Sequence, residues 1–338
     1  MSLESHISKK PLLMESVNEF RFQGSITDHQ LTQFYASANN DNMAAQENGT
    51  STQEQYYSAL TSKHVAPLWT VLNKMVPPSP NPITRVTAWS YESIRPVLME
   101  SGSLISAEEA ERETAPAHRH VAFALRFIVE GSRGFTAVEG QKMMMERGDV
   151  ILTPSWHWHD HGSEGTGPMV WLDGLDLPVY RFMPVNFAEN YSEARYPSIL
   201  AENSSWKFPW ARAAAALNTN LEEPYAQYEY RLDNGAFLSK TIGAQAERVA
   251  AGTTTKSLRE TVSFVYHIFE GEGYSTIITP DGMEEQVEWK AKDTFSVPAW
   301  SAVSHTCTLK DGNAYLFAIN DRPMIEALGL QKRESAPV

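Results

Sequence analysis

The chain has little of several residue classes, and each shortage excludes a kind of protein. A single cysteine, Cys307, occurs in 338 residues, so no intrachain disulfide can form and the disulfide-rich secreted class is excluded. Lys and Arg number 28 against 41 Asp and Glu, and the resulting net charge of −13 argues against nucleic-acid binding, which needs clustered cations. No apolar run approaches the roughly 18 residues of a membrane span, and no signal-peptide stretch opens the chain. We therefore predict a soluble, cytoplasmic protein that binds neither nucleic acid nor membrane.

What is present is a sizeable potential core and a repeated β pattern. Apolar residues make up 42% of the chain. In "VAFALRFIVEGSRGFTAVEGQKMMMERGDVILTP", short β-rich runs alternate with glycine turns, which is typical of an antiparallel sandwich or barrel. The pattern returns later: residues 118–131 align with 258–271, and 148–156 with 292–300. We predict two homologous β-barrels joined by a helical linker.

The histidines are concentrated in two clusters on β-rich sequence. His118 and His120 form one cluster, and "PSWHWHDHG" places His157, His159 and His161 at alternating positions in the other. Side chains at i and i+2 of a strand point to one side, so each cluster presents imidazoles on one face. Neutral imidazole nitrogens are common ligands of iron, zinc and copper. The pattern favours a metal site over the alternative of packed or surface histidines.

At these residues the chain resembles a known group of proteins. The His-x-His pair, followed by Gly148, Pro154 and His159 in a G-x5-P-x4-H pattern, resembles the cupin superfamily. More narrowly, "ETAPAHRH…ALRFIVEG…TAVEG…GDVILTPSWHWHDHG…WLDGLD" resembles the gentisate 1,2-dioxygenase family, which includes salicylate and 1-hydroxy-2-naphthoate ring-cleaving dioxygenases. The resemblance is dense over 113–178 and looser over 60–112 and 228–330.

The resemblance implies an all-β bicupin fold, with two antiparallel jelly-roll barrels, a helical N-terminal region and a helical linker. The implied domains are an N-terminal arm and helical region at 1–112, a metal-binding barrel at 113–198, a linker at 199–228, a second barrel at 229–321, and a C-terminal helix and tail at 322–338. Within the N-terminal region, residues 37–55 are polar and a helical stretch follows around 54–75. Ser106 and Glu109 have capping-box spacing, which predicts a helix beginning over 107–112.

The resemblance further implies Fe(II) held by His118, His120 and His159. Many cupins add a carboxylate ligand four or five residues after the second histidine, but Ala124 and Leu125 stand there in this chain. We therefore expect three neutral ligands, which leave open positions for an anionic chelating substrate and O2. His157 falls outside the ligand pattern.

Arg112, Arg126, His161 and Asp173 are implied to line the substrate pocket. Arg126 could pair through both guanidinium nitrogens with a ring carboxylate, the alternative being a salt bridge at the barrel rim. His161 could hydrogen-bond an oxygen of the substrate or of O2 and move a proton near neutral pH. Asp173 could orient His161 or a ligand histidine, or be a turn residue in "LDGLD".

The second barrel is predicted to have lost the metal. In the repeat alignment, Leu258, Glu260 and Val303 stand at the ligand positions, and His305 aligns with His161. We expect this barrel to be structural and to contribute to oligomer packing. The family resemblance implies a homotetramer.

The chain also departs from the family before His118. "AEEAER" runs almost directly into "ETAPAHRH", where the family has a further strand that lines the pocket. Unless another segment fills the place, the first barrel should have an unpaired strand edge and a partly open pocket.

The function implied by the resemblance is cleavage of an aromatic ring between its carboxyl-bearing and hydroxyl-bearing carbons, with incorporation of both atoms of O2. Gentisate would give maleylpyruvate, and related hydroxybenzoates or hydroxynaphthoates are further candidate substrates. Two alternatives stay open. One is a catalytically impaired or divergent bicupin that binds metal or a ligand without ring cleavage, and the other is a three-histidine zinc hydrolase.

Overall fold

The computed structural model of the protein describes residues 21–24, 85–96 and 114–336, apart from 166, 182–184 and 186. Its described part is built mainly of antiparallel β-strands arranged in four sheets, which confirms the all-β prediction. The polar stretch at 37–55, the helices predicted around 54–75 and 107–112, and Arg112 lie outside the described residues.

The first barrel consists of two facing sheets. Two strands precede it in the chain, β1 (Arg21–Gly24) and β2 (Thr87–Trp89). The strands that follow are β3 (Thr114–His120), β4 (Ala124–Glu130), β5 (Gly134–Val138), β6 (Gln141–Met144), β7 (Val150–Thr153), β8 (His159–Ser163), β9 (Val170–Leu175), β10 (Ala188–Asn190), β11 (Ile199–Leu200) and β12 (Lys207–Phe208). One sheet has the order β1-β9-β4-β7-β12 and the other the order β10-β3-β8-β5-β6-β11.

The second barrel repeats this arrangement. Its strands are β13 (Tyr225–Glu229), β14 (Gly243–Ala250), β15 (Leu258–Glu260), β16 (Phe264–Glu270), β17 (Glu272–Ile278), β18 (Glu284–Lys290), β19 (Thr294–Val297), β20 (Ala302–Cys307), β21 (Asn313–Asn320) and β22 (Arg333–Ser335). The sheet orders are β13-β14-β21-β16-β19-β2 and β18-β17-β20-β15-β22. Helices are short: α1 (Trp210–Leu217) lies in the linker, α2 (Arg322–Ala327) follows β21, a 3-10 helix spans Leu177–Arg181, and residues 91–96 are helical.

Strand pairing extends both barrels beyond the predicted boundaries. The first barrel was expected to end at 198, but β11 pairs with β6 and β12 pairs with β7, so its sheets continue to Phe208. The second was expected to cover 229–321, but β13 begins at Tyr225 and β22, in the predicted tail, pairs with β15. These added strands lie at sheet edges. They are two to five residues long, too short to show a β pattern in the sequence.

The backbone of β1 fills the place where an unpaired edge was expected. In the second barrel, β21 pairs with β16 on one side and with β14 on the other. In the first barrel β9 is the counterpart of β21, and it pairs with β4 and with β1. The strand β14 lies directly before its barrel's β15, whereas β1 comes from far upstream of β3. The expected unpaired edge is therefore absent, because a distant segment supplies the hydrogen-bonding partner.

One hydrophobic cluster extends across both barrels. Phe127 of β4 stacks on Phe317 of β21, with ring centroids 4.1 Å apart and planes inclined by 15°. Trp210 at the start of α1 packs against Phe269 at 4.0 Å, so the linker helix closes one end of this contact. Because alternate residues of a strand face opposite ways, the same β4 strand turns Arg126 into the first barrel's interior.

The turns that shape the first barrel recur in the second. Trp156 and Trp300 both adopt left-handed backbone conformations, with φ of 63° and 62°. The Trp156 amide donates to the carbonyl of His120 at 2.8 Å, and the Trp300 amide donates to that of Glu260 at 2.6 Å. The turn before β8 is thus hydrogen-bonded to the end of β3, and the turn before β20 is bonded in the same way to the end of β15.

Candidate metal centre

Two neighbouring strands carry the histidine clusters. The antiparallel pairing of β3 with β8 sets His118 directly opposite His159, and the register shifts between Ala115 and His118. Such a bulge re-aims the side chains that follow it. His120 is two residues further along β3 and therefore faces the same side as His118. The sequence spacing and the strand pairing together bring three imidazoles to one point inside the first barrel.

The three predicted ligands do converge. One ring nitrogen from each of His118, His120 and His159 lies within 4.8 Å of the other two. The ring centroid of His159 is 4.3 Å from that of His118 and 4.7 Å from that of His120. His120 and His159 are buried and His118 is half-buried, so the cluster is shielded by the barrel yet reachable from one side.

A backbone carbonyl fixes the tautomer of each imidazole. The Nδ1 atom of His118 lies 2.7 Å from the carbonyl of Pro116, that of His120 lies 2.8 Å from Ala122, and that of His159 lies 2.8 Å from His157. A carbonyl oxygen can only accept, so we assign the proton to Nδ1 in all three rings. Each ring therefore presents the lone pair of Nε2 to the cluster, which is the form that binds a metal.

Burial also keeps the three rings neutral. It lowers the pKa of His118, lowers the pKa of His120 to about 4, and holds the pKa of His159 well below its usual range. Mutual repulsion among the rings lowers the pKa values of His120 and His159 further. Three neutral nitrogen donors with available lone pairs fit a transition-metal cofactor. Ala124 and Leu125 supply no carboxylate, as expected.

Next to this cluster, a buried polar network surrounds His161. The guanidinium of Arg126 donates from Nε to Asp173 Oδ1 at 2.7 Å and from Nη2 to Asp173 Oδ2 at 3.2 Å. Its Nη1 lies 2.6 Å from His161 Nδ1 and donates to Thr136 Oγ1 at 3.1 Å. Trp171 Nε1 donates to Asp173 Oδ2 at 3.1 Å. Burial, and then the nearby Arg126 charge, hold the pKa of His161 well below its usual range, so this ring is neutral.

The network shows how Arg126 and Asp173 are paired. Arg126 was expected either to pair with a substrate carboxylate or to form a salt bridge, and in the structure Asp173 occupies its paired nitrogens, with both side chains only 6% exposed. Asp173 was expected to orient His161 or a ligand histidine, the alternative being a turn residue in "LDGLD". It lies within β9, directly opposite Arg126, and its carboxylate is linked to His161 through that arginine. The sequence could not show this because the pairing joins residues 47 positions apart.

Below the network the barrel interior is apolar. Ile128 and Trp171 lie two residues from Arg126 and Asp173 on the same strand faces, and they belong to a buried cluster. The other members of that cluster are Val138, Met143, Met145, Ile151 and Met169. The Arg126–Asp173 pair therefore lies between the histidines and an apolar cluster inside the barrel.

Sequence reasoning missed Thr136 and Asp160. Thr136 is fully buried and contacts both Arg126 and His161. Asp160 points to the other side of β8, where its carboxylate accepts from Arg195 Nη1 at 2.9 Å and from the Tyr196 amide at 3.1 Å. The repeat held one usable signal, since Ser275 aligns with Thr136 in the second barrel. His157, as predicted, stays outside the converging group.

The corresponding place in the second barrel holds no such cluster. The pairing of β15 with β20 sets Leu258 opposite Val303, just as β3 and β8 set His118 opposite His159. Glu260, at the position of His120, accepts from Arg322 Nη2 at 3.2 Å. Among the described residues, the histidine triad of the first barrel is the group whose ligand atoms lie close enough together to hold a metal ion.

Comparison with known proteins agrees with this geometry. A family model described as a cupin domain matches residues 107–175. Gentisate 1,2 dioxygenase 1 of Aquipseudomonas alcaligenes is 32% identical over 340 aligned residues, which cover 83% of this chain and 95% of that protein. The chain belongs to the gentisate 1,2-dioxygenase family. The predicted family and bicupin fold are thereby confirmed.

Other members of the family are similarly close. A 1-hydroxy-2-naphthoate 1,2-dioxygenase of Nocardioides is 30% identical over 250 residues, covering 66% of this chain and 63% of that protein. The crystal structure of a salicylate 1,2-dioxygenase from Pseudaminobacter salicylatoxidans superimposes with a TM-score of 0.67 at 25% identity, covering 86% of this chain and 99% of that one. Within the described part of this chain, no helix is long and apolar enough to cross a membrane.

Proposed function

We propose that the chain is an Fe(II)-dependent ring-cleaving dioxygenase that acts on gentisate, or on a related hydroxybenzoate or hydroxynaphthoate. The observation that carries this proposal is the set of three converging imidazoles, all with Nε2 available and no carboxylate among them. Three neutral ligands leave the charge of a ferrous ion uncompensated, which favours binding of an anionic chelating substrate. Relatives named for cleavage of gentisate, 5-aminosalicylate and 1-hydroxy-2-naphthoate support the same substrate class.

In this proposal the residues of the chain have separate roles. His118, His120 and His159 hold the iron, and bound iron would supply the electron path between the chelated ring and O2. His161, with its ring centroid 5.5 Å from that of His159, is placed to donate a hydrogen bond to a ligand oxygen at the triad. Arg126 contributes a fixed positive charge beside His161, and Asp173 holds that charge in place.

Burial of the network supports a role for charge in substrate binding. Arg126 is permanently charged and 5% exposed, and its positive field extends to the triad end of the barrel. A buried cation attracts an anionic substrate more strongly than a solvated one does. Arg112 stays a predicted substrate residue outside the described part of the chain.

The two alternatives make different predictions. A zinc hydrolase needs a general base beside the triad. His161 is the ionisable side chain next to the triad. Its Nδ1 faces the Arg126 cation, which disfavours protonation of the ring and so makes it a poor general base. An impaired bicupin was suggested by the missing strand, and the backbone of β1 beside β9 weakens that argument. We retain the impaired bicupin as the competing hypothesis for the test.

The test compares two histidines that stand two positions apart. Wild type, His159→Ala and His157→Ala are reconstituted anaerobically with Fe(II), and gentisate and air are then added. His159→Ala should lose bound iron, O2 uptake and ring-cleavage absorbance, because it removes one of three ligands. His157→Ala should retain all three, because the His157 side chain bonds to the carbonyl of Ser155 outside the triad, and alanine keeps the backbone carbonyl that His159 Nδ1 contacts.

Metal binding is also measured without turnover. At an Fe(II) concentration about a hundredfold above the dissociation constant, binding should stabilise the native state by about 2.7 kcal/mol. His159→Ala should lose this increment and His157→Ala should keep it. Iron binding without O2 uptake on gentisate, salicylate or 1-hydroxy-2-naphthoate would favour the impaired bicupin. An equal effect of the two variants would contradict the assignment of the site.

Three further expectations belong to the same proposal. The first barrel is the metal-binding domain and the second barrel supports it structurally. The active form is a homotetramer, which sedimentation of the reconstituted protein would test. The protein is cytoplasmic.

A further inference from the structure

We propose that Thr136 is a positioning residue that fixes the tautomer and orientation of His161. The hydroxyl of Thr136 lies 3.0 Å from His161 Nδ1, and it is 3.1 Å from Arg126 Nη1 and 3.4 Å from Met145 Sδ. Thr136 is on β5, directly opposite His161 on β8, and is 0% exposed. The hydroxyl therefore contacts the imidazole from inside the barrel and has no access to solvent.

The proton count around this hydroxyl decides what it does. Arg126 has only donors, so Thr136 Oγ1 accepts from Arg126 Nη1. The single hydroxyl proton is then available for His161 Nδ1, or for the weak acceptor Met145 Sδ. Nδ1 is the better acceptor and also the nearer one, so we assign the proton to the Thr136–His161 bond.

Two donors therefore face the same ring nitrogen. Arg126 Nη1 lies 2.6 Å from His161 Nδ1 but also 3.0 Å from its Nε2, so it does not distinguish them; Thr136 faces Nδ1 alone and is the donor that does. Nδ1 carries the lone pair in this arrangement, and the neutral ring holds its proton on Nε2. The three triad histidines have the opposite tautomer. A ring with Nε2–H acts as a donor beside the triad and cannot act as a fourth ligand through that atom.

The second barrel shows the same pairing independently. Ser275 on β17 stands opposite His305 on β20, with Ser275 Oγ 2.8 Å from His305 Nδ1. Trp289 Nε1 donates to the same Oγ at 2.9 Å, so the serine proton is free for Nδ1. A hydroxyl at this register thus fixes an imidazole in both barrels, and only in the first does that imidazole lie beside a triad.

The consequence for the reaction rests on the function proposed above. Thr136 does not contact the triad. It acts through His161, by keeping the Nε2–H donor of that ring in place during turnover. Loss of the hydroxyl would leave the ring held by Arg126 alone, whose Nη1 lies near both ring nitrogens and does not select between them. The chemical step should slow while substrate affinity changes little.

The experiment uses three substitutions at Thr136 and one matched control. Thr136→Val removes the hydroxyl at nearly constant volume, Thr136→Ala removes it without adding bulk, and Thr136→Ser retains it. The control is Thr294→Val, which removes the hydroxyl 3.0 Å from Nδ1 of buried His267 in the second barrel. Both threonines are buried and both pair with a buried imidazole, but the imidazole at Thr294 lies in the second barrel, away from the triad.

Two readouts separate positioning from stability. The first is the nitrogen NMR spectrum of zinc-loaded protein labelled with 15N at histidine, which reports the tautomer of each ring. The second is kcat and KM for gentisate in the iron-loaded protein. Thr136→Val and Thr136→Ala should shift His161 from a single Nε2–H form to a mixture and lower kcat about tenfold, the factor for one hydrogen bond of about 1.4 kcal/mol. KM should stay within about twofold.

Thr136→Ser should restore both readouts, and Thr294→Val should change neither while lowering the urea midpoint. An unchanged His161 spectrum and unchanged kcat in Thr136→Val and Thr136→Ala would overturn the proposal. A loss of kcat in Thr294→Val equal to that in Thr136→Val would overturn it too, because both would then reflect stability. If wild type cleaves no hydroxy acid, the proposed function fails, and the spectrum alone still decides the role of Thr136.

Discussion

The buried pair of Arg126 and Asp173 gives the sharpest quantitative prediction. Replacing Asp173 with Asn keeps the size of the side chain and removes its charge. Arg126 would then stay 5% exposed as an uncompensated cation, with only neutral partners in Thr136, His161 and Asn at 173. Removal of one partner of a buried ion pair typically destabilises a protein by about 3–5 kcal/mol. Because an Asn oxygen can still accept one bond from Arg126, we expect a loss near the lower end, about 3 kcal/mol.

A surface pair in the same protein serves as the matched control. Asp233 lies 3.7 Å from Arg212, and their side chains are 81% and 50% exposed. Asp233→Asn makes the same chemical change in solvent, where an ion pair contributes about 0–1 kcal/mol. The difference between the two variants, about 2–3 kcal/mol, therefore isolates burial from the loss of a negative charge as such.

The assay is urea unfolding of both variants and wild type, with bound iron and gentisate turnover measured on the same samples. Asp173→Asn should keep its iron, because the three ligand histidines and their carbonyl partners are unchanged. Its kcat should fall by about tenfold or more, since Arg126 would have one acceptor bond at position 173 in place of two and would position His161 less firmly. Equal stability losses in Asp173→Asn and Asp233→Asn would refute the reasoning. Loss of iron together with kcat would show that the carboxylate supports the triad and not His161.

Further predictions concern a turn and a buried ring. Gly148→Ala should lower the free energy of unfolding in urea by about 1–3 kcal/mol more than Gly252→Ala does. Both glycines have positive φ, so the backbone strain is common to the two variants. A Cβ at Gly148 would lie 2.8 Å from side-chain atoms of Trp210 and Phe269, whereas nothing lies within 4 Å of one at Gly252. Equal costs would mean that the contact relaxes freely. Burial first, and then nearby cations, lower the pKa of His267 from 6.5 to about 3, so this ring stays neutral in the folded state and stabilises it above pH 6.5. That stability is lost as the pH falls from 6.5 towards 3, by up to about 1.4 kcal/mol per pH unit, and His267→Phe should reduce the slope of unfolding free energy against pH by that amount. Identical slopes would contradict the neutral assignment.

The convergence of His118, His120 and His159 was predictable because their arrangement is largely local. Alternation along a strand puts His118 and His120 on one face, and a two-residue offset along the chain links each ligand Nδ1 to a carbonyl. The repeat in the sequence also predicted the paired barrels and the loss of ligands at Leu258 and Val303, and strand register agrees with both positions. Periodicity and self-similarity are properties that a sequence carries without reference to its fold.

The roles within the pocket were not predictable because they depend on contacts between distant strands. Arg126 has a choice of anionic partners, and only the pairing of β4 with β9 shows that Asp173 takes both of its paired nitrogens. Thr136 resembles any strand threonine until β5 is set against β8. The short edge strands went unrecognised for a different reason. Two to five residues are too few to show a periodic pattern of apolar side chains.

The sequence by itself determined the family, the β-rich repeat and the three histidines that converge, because each rests on residue types at short, fixed spacings. The tertiary structure alone decided which segment lies beside β9, which side chain satisfies Arg126, and which hydroxyl faces Nδ1 of His161. Those outcomes depend on hydrogen-bond partners brought together across tens of residues. A buried polar group takes whichever partner the fold places within about 3 Å of it.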